Sequence, residues 1–459
     1  MREHLLRIDG TALAGFGRDV PERFDLMLGE KAISCRDALR VLPGRRVVVR
    51  ADVDGMPALA KIFLGPTAAR DRAREERGVA LLRAAGVPTP EGLGGCSAVD
   101  AEVVLYRYLT DARPLSAEQL PAAVGRLAQM HDAGLVHDDL HRGNLLDDRD
   151  TLHVVDGGAV RSLGATVTIA ARTDQLATLL AQFGVDAYDH VARALDSYRG
   201  VSANAAIEHR ALTRALAVAL ARRVDRAVAK CTRECSAFRI EHRFDRFVAC
   251  RRSHWREMSV LIEDPDSAMA RGTALKNGRS ATVVRLALGG IDVVIKRYNI
   301  KSRLHAVSRA FRKTRAERAW RSAERLAKLG IATAEPLALI ERRCGPLRGR
   351  AYLVSRALEG ESLAALEHPR AHLDVLVGLL ARLRRAGLVH GDAKAKNFVR
   401  AGDAVAVIDL DSLRAPRSRN AIRRGQDEDV RRLAANWPEC TELESTIRAR
   451  LAALEARAT

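Results

Sequence analysis

Residues 133–156 read AGLVHDDLHRGNLLDDRDTLHVVD, and residues 386–409 read AGLVHGDAKAKNFVRAGDAVAVID. In each stretch a histidine stands two residues before an aspartate, an asparagine five after it, and a second aspartate seventeen after it at the end of an apolar run. The sets are His137, Asp139, Asn144 and Asp156, then His390, Asp392, Asn397 and Asp409. Carboxylate, amide and carboxylate at one fixed spacing supply what a metal-assisted phosphoryl transfer requires: a group that orients the attacking hydroxyl, and hard oxygen ligands for the cation. The pattern occurs twice, so the same kind of site is expected twice.

Similarity extends upstream. LLRAAGVPTPEGL (81–93) parallels RLAKLGIATAEPL (325–337), each reading as a helix end, a turn glycine and the start of a strand. Ahead of them, VVVRADVDGMPALAKIF (47–63) reaches Lys61 and TVVRLALGGIDVVIKRY (282–298) reaches Lys296. Alternating apolar residues about Asp54-Gly55 and Gly289-Gly290 predict hairpins. Further strands are expected at 102–109 and 350–358, with helices filling most of the rest. The expected fold is α+β: tandem protein-kinase-like domains, each a small antiparallel β lobe followed by a helical C-terminal lobe. Residues 205–235 have helical periodicity, with arginines on one face and Ala, Leu and Val on the other. A closing helix or connector over about 205–232 separates a first domain, 1–232, from a second, 233–459. A length of 459 residues also favours two cores over one.

The net charge of +19 is unevenly placed. Residues 1–230 hold 31 Lys and Arg against 30 Asp and Glu, whereas residues 231–459 hold 45 against 27. The second half is therefore expected to meet an anionic partner. Nucleic acid is not the expected one, because charge alone points to it and only 4% of the chain is aromatic. Seven scattered cysteines form no disulfide framework, which suits a reduced compartment. No apolar run approaches the roughly 20 residues of a membrane helix, and the N-terminal stretch lacks the apolar centre of a signal peptide. The expected location is the cytoplasm.

Each candidate residue answers one need of the reaction. Lys61 and Lys296, on inner strands, would contact the phosphates of ATP. Each needs a carboxylate from the following helix: Glu75 is better placed than Glu76 in the first copy, and Glu317 is favoured over Glu324 in the second. Asp139 and Asp392 would be catalytic, orienting the hydroxyl and accepting its proton. Asn144 and Asp156, with Asn397 and Asp409, would hold Mg²⁺. His137 and His390 are expected to brace their loops by hydrogen bonds. Neither half has a G-x-G-x-x-G loop; LPGRR (42–46) and LKNGRS (275–280) hold one glycine each. A shorter turn must cover the phosphates.

VVIKRYN, the basic helix with RAERAWRSAERLAKLGIATAEPLALIE, RGRAYLVSRALEGESL, HGDAKAKNF and VIDLDSL together resemble the bacterial lipopolysaccharide core kinases, the Kdo/WaaP (InaA-like) family. The resemblance covers most of residues 235–440. HDDLHRGNLL and VVDGG in the first half are similar to the same superfamily more remotely, and to aminoglycoside and choline-type phosphotransferases. The resemblance implies an ATP-dependent kinase for a heptose or Kdo hydroxyl of the lipid A inner core, acting at the cytoplasmic face of the inner membrane. Carried over, the nucleotide lysine is Lys296, the catalytic aspartate Asp392, and the metal ligands Asn397 and Asp409. Two departures stand out: Ala393 follows the catalytic aspartate, and Asp138 precedes it in the first copy. The first metal turn, Asp156-Gly157-Gly158, also lacks a bulky middle residue and is expected to be looser than Asp409-Leu410-Asp411.

The implied partners are the lipid A-core glycolipid and an anionic membrane surface, both suited to the basic stretch from Lys296 to Arg325. An acidic protein is a further possible partner. Competing readings keep the fold and change the role: a small-molecule or protein kinase, or a tandem in which one domain is a regulatory pseudokinase.

Overall fold

The computed structural model describes residues 6–164, 166–202, 206–299, 312–365, 372–402 and 404–457. The fold is mixed α+β. Two compact units form, residues 1–182 with 190–219 and residues 183–189 with 220–459.

Unit 1 begins with seven strands: β1 (Leu6–Ile8), β2 (Arg23–Leu28), β3 (Lys31–Leu42), β4 (Arg46–Val53), β5 (Met56–Leu64), β6 (Gly92–Ala98) and β7 (Ala101–Arg107). Their order in the sheet is β1, β2, β3, β4, β5, β7, β6. Only β1 and β2 run parallel. Asp54 and Gly55 join β4 to β5 with φ of 52° and 81°, the left-handed pair whose twist matches that of a hairpin. One face of the sheet is dry, with Phe24, Leu26, Val49, Ile62 and Val103 in a single core. A helix at Ala68–Ala84 (α1) packs against β5, β7 and the turn Gly157–Ala159. Helices then dominate, at Leu120–Asp132, Ile169–Leu180 (α2) and Val191–Val201. Between the first two of these lie the loop at 137–144 and a hairpin of Leu145–Asp148 with Thr151–Val154.

Unit 2 also combines a seven-stranded sheet with helices. Its sheet holds β8 (Phe238–His242), β9 (Arg246–Arg251), β10 (Thr273–Asn277), β11 (Ala281–Leu288), β12 (Ile291–Tyr298), β13 (Pro336–Cys344) and β14 (Leu347–Arg356). The order is β8, β9, β13, β14, β12, β11, β10, antiparallel throughout. Gly289 and Gly290, with φ of 57° and 80°, close the β11–β12 hairpin. A helix at Arg315–Leu329 (α3) is capped by Thr314, whose hydroxyl accepts the Glu317 N–H at 3.0 Å. It is anchored by fully buried Trp320, whose Nε1–H donates to the Cys231 carbonyl at 2.8 Å. Helices at Leu373–Arg385, Arg419–Ala434 (α4) and Leu443–Arg457 form most of the remainder.

Strands β1 to β3 and β8 to β9 extend each sheet beyond what the sequence pattern indicated. The reason is visible on β3, where half of Lys31–Leu42 faces solvent and only Ile33 and Cys35 are buried. Such a strand has little apolar alternation to betray it.

Candidate functional site

In unit 1, β5 carries Lys61 opposite Val104 of β7 and turns it inward, where it is 6% exposed. Its Nζ donates to Glu75 Oε1 at 2.6 Å and to Asp156 Oδ1 at 3.0 Å. Glu75, on α1, is 1% exposed and accepts two further bonds, from the Gly158 N–H at 2.8 Å and the Tyr106 hydroxyl at 3.1 Å. A carboxylate so deeply buried requires such partners. Arg46 adds a second cation to Asp156 Oδ1, at 3.3 Å. Burial pushes the Asp156 carboxyl up, but Lys61 and Arg46 outweigh it and hold the group well below the usual carboxylate range.

The metal turn is tight rather than loose, against expectation. A Cβ added to Gly78 of α1 would lie 1.8 Å from the Gly157 carbonyl oxygen, and one added to Gly157 would lie 2.6 Å from the Glu75 carbonyl oxygen. The absence of a bulky residue lets helix and turn meet backbone to backbone.

The loop at 137–144 is held internally. His137 is 1% exposed, and burial holds its imidazole below its usual range. One neutral tautomer satisfies both of its nitrogens: Nε2–H donates to the Val155 carbonyl at 3.1 Å, and Nδ1 accepts the Asp139 N–H at 3.2 Å. Gln175 of α2 accepts the His137 N–H at 3.1 Å and donates to its carbonyl at 3.0 Å. Asn144 donates its amide N–H to the Asp139 carbonyl at 2.9 Å. Asp139 itself is 54% exposed at its side chain and lines a cleft with Asp156, Arg45, Arg46 and Arg74.

In unit 2, Lys296 of β12 pairs with Asp409. His390 donates to the Ile408 carbonyl at 3.1 Å and accepts the Asp392 N–H at 3.3 Å. The Asn397 amide donates to the Asp392 carbonyl at 2.8 Å. Both metal-turn aspartates, Asp156 and Asp409, adopt left-handed backbone, with φ of 65° and 58°. Asp429 of α4 plays the part of Gln175 and accepts the N–H groups of His390 at 2.6 Å and Gly391 at 2.9 Å. Lys394 Nζ lies 2.9 Å from Asp392 Oδ1. Burial pushes the Asp409 carboxyl up, but Lys296 and Arg315 help to hold it below its usual range.

The expected pairing of Glu317 with Lys296 does not form. Glu317 lies in the first turn of α3, where Arg321 takes it at 2.8 Å and Arg348 reaches it from β14. Glu324 pairs instead with Arg251. Helix α3 thus presents no carboxylate to Lys296, and the turn aspartate serves alone. What α3 does present is Arg315, bound to Asp411. Motif reading also passed over Arg46, Tyr106, Gln175 and Asp429. Only their burial or long-range pairing marks them, and neither is a local signal.

Among the described residues no cluster of three or more His, Cys, Asp or Glu side chains forms a metal cage. Each site offers one Asn oxygen and one turn aspartate, a sparse hard-oxygen set suited to a divalent cation that arrives with its phosphates. Among the described residues no helix is long and apolar enough to cross a membrane.

Residues 273–447 match the model of the lipopolysaccharide kinase (Kdo/WaaP) family. No curated protein matches the chain. Among solved structures it is similar to one described as "WaaP in complex with acyl carrier protein", at 18% identity and a TM-score of 0.31, covering 46% of this chain and 98% of that one. Members of the matched family are kinases, which use ATP and a divalent metal. The match to the lipopolysaccharide kinase (Kdo/WaaP) family model spans residues 273–447, about two fifths of the chain, and the chain that carries it is a kinase.

Proposed function

We propose that unit 2 transfers the γ-phosphoryl group of Mg²⁺-ATP to a sugar hydroxyl, on heptose or Kdo, of the lipopolysaccharide inner core. The family match over 273–447 carries the reading, since it spans the segment in which Lys296 meets Asp409 and Asn397 braces Asp392. Asp392 orients the hydroxyl and receives its proton, Asn397 and Asp409 would hold Mg²⁺, which would offset the charge of the transferred phosphoryl group, and Lys296 would contact the phosphates. Purified chain given Mg²⁺-ATP and lipid A-core glycolipid should place phosphate on heptose or Kdo. Transfer to a small alcohol or a protein side chain, with the core sugar untouched, would move the acceptor to another class.

We assign the same roles to unit 1: Lys61 and Glu75 for the nucleotide, Asn144 and Asp156 for the metal, Asp139 for the acceptor, in a domain spanning 1–232 ahead of one spanning 233–459. One observation favours a regulatory part for it instead. Asp156 carries two cations at one oxygen, so a metal must displace Arg46 as well as Lys61. Residual transfer by a chain carrying Asp392→Asn would make unit 1 catalytic. Mg²⁺-ATP binding without transfer would make it regulatory.

The basic stretch is proposed to hold the anionic glycolipid at the inner face of the inner membrane, where an acidic protein could also dock. Lys301, Arg303 and Arg309 lie outside the described residues. Of the others, Lys296 and Arg297 pair with Asp409 and Asp266, Arg315 and Arg321 turn inward to Asp411 and Glu317, and Arg325 is half-buried, leaving Arg312, Lys313 and Arg318 exposed. Exposed charges are screened over roughly 10 Å at about 0.1 M salt. Reversing these three to Glu should release the chain from anionic vesicles and raise the glycolipid concentration needed about tenfold, with Mg²⁺-ATP affinity unchanged. Unaltered vesicle binding would reduce the stretch to a solvated face.

A further inference from the structure

We propose that Arg315 is the positioning residue of the second site: through Asp411 it holds the turn bearing Asp409, the task that Glu75 performs in unit 1. The inference rests on the phosphoryl-transfer reading of Lys296, Asp392, Asn397 and Asp409. In unit 1 the helix after the lysine strand gives the anion, and the turn receives it through the Gly158 N–H. In unit 2 the polarity is reversed. Arg315, the first residue of α3, directs both Nε and Nη2 onto Asp411 Oδ2, at 2.6 and 2.5 Å. The Asp411 side chain is 4% exposed and has that guanidinium as its ion-pair partner.

Tyr298 lies close to both cations of the site. It stands two residues after Lys296 on the same face of β12 and is 6% exposed. Lys296 Nζ lies 4.9 Å from its ring centroid and Arg315 Cζ 5.1 Å. The strand register explains why a helix arginine is needed. Arg46, the second cation of unit 1, faces Phe63 across the hairpin, whereas the residue facing Tyr298 is Ala281. At the register position where β4 supplies Arg46, β11 supplies Ala281.

The arrangement divides the labour between the two turn aspartates. Asp411 stays paired with Arg315 and anchors the turn to α3, which leaves Asp409 as the turn carboxylate that would hold the metal. Asp411 is therefore an anchor rather than a second metal ligand.

The test uses full-length chain assayed for Mg²⁺-ATP-dependent phosphorylation of core glycolipid. Arg315→Ala should lower turnover by at least about 50-fold, leave KM for Mg²⁺-ATP within about threefold, and raise the Mg²⁺ concentration for half-maximal rate. Arg315→Lys should recover much of the loss. Asp411→Asn keeps an acceptor oxygen without an unpaired buried charge, and carries the test should Arg315→Ala fail to fold. It should act in the same direction, and the double variant should be no worse than the poorer single one, as expected for two residues acting as a unit. A purely structural role would lower the melting temperature and the active fraction but not alter the Mg²⁺ dependence of the folded protein. Turnover within threefold of wild type, or losses that multiply in the double variant, would overturn the proposal. Absence of any transfer by the wild-type chain would instead overturn the kinase reading of the site, and this proposal with it.

Discussion

Replacing Asp409 with asparagine should lower phosphoryl transfer by at least about 10³-fold while the chain stays folded, because a charged metal ligand aimed at developing phosphoryl charge carries a term of that size. The choice of asparagine isolates the charge. Asp409 sits at φ 58°, a left-handed conformation that asparagine adopts about as readily as aspartate, so the turn keeps its backbone. Lys296, 17% exposed at its side chain, can reach water once its partner is neutral. Metal binding should fail with turnover, and Mg²⁺-ATP stoichiometry by calorimetry should fall by one site per chain. Asp392→Asn makes the informative contrast. Its side chain pairs with Lys394 and leaves Lys296 and Asp409 in place, so nucleotide binding should survive while turnover drops about 10² to 10⁴-fold. Wild-type turnover in Asp409→Asn would remove this residue from the site.

The sequence made some of this legible and concealed the rest for physical reasons. Hairpins at Asp54-Gly55 and Gly289-Gly290 were readable because both residues of a two-residue turn must take positive φ, and Asp and Gly announce that locally. The loops at 137–144 and 390–397 were readable because each closes on itself over a few residues, with His and Asn bonding backbone nearby. Glu75 lies beside Lys61, but the same reasoning placed Glu317 beside Lys296, where it is not found. Helical spacing fixes which face a residue occupies, not which of several long cations reaches it first. Glu317 is claimed by Arg321 and Arg348, one from its own helix and one from a strand 31 residues on. Gln175 and Asp429 show the same limit. Each braces a loop from a helix nearly forty residues later, through backbone amides that carry no sequence signature.

Gly78→Val should abolish Mg²⁺-ATP binding at the first site and destabilise unit 1 by more than the roughly 1–3 kcal/mol typical of overpacking. Where an enlarged side chain meets other side chains, rotamers can give way. Here even the Cβ would lie 1.8 Å from a carbonyl oxygen of the metal turn and 2.5 Å from its carbon, so one of two backbones must move. Moving α1 takes Glu75 off Lys61 and off the Gly158 N–H, leaving a carboxylate that is 1% exposed without its main partners. Moving the turn takes Asp156 away from Lys61 instead. Either displacement dismantles the site, so loss of binding follows whichever backbone yields. Calorimetry on the full chain carrying Asp409→Asn reads the first site alone, and thermal unfolding reads the stability change. Glycolipid phosphorylation by unit 2, measured in the Gly78→Val chain without the second substitution, tests whether the damage stays within unit 1. Retained Mg²⁺-ATP affinity at the first site would show that the contact between Gly78 and Gly157 does not govern the geometry of Lys61, Glu75 and Asp156.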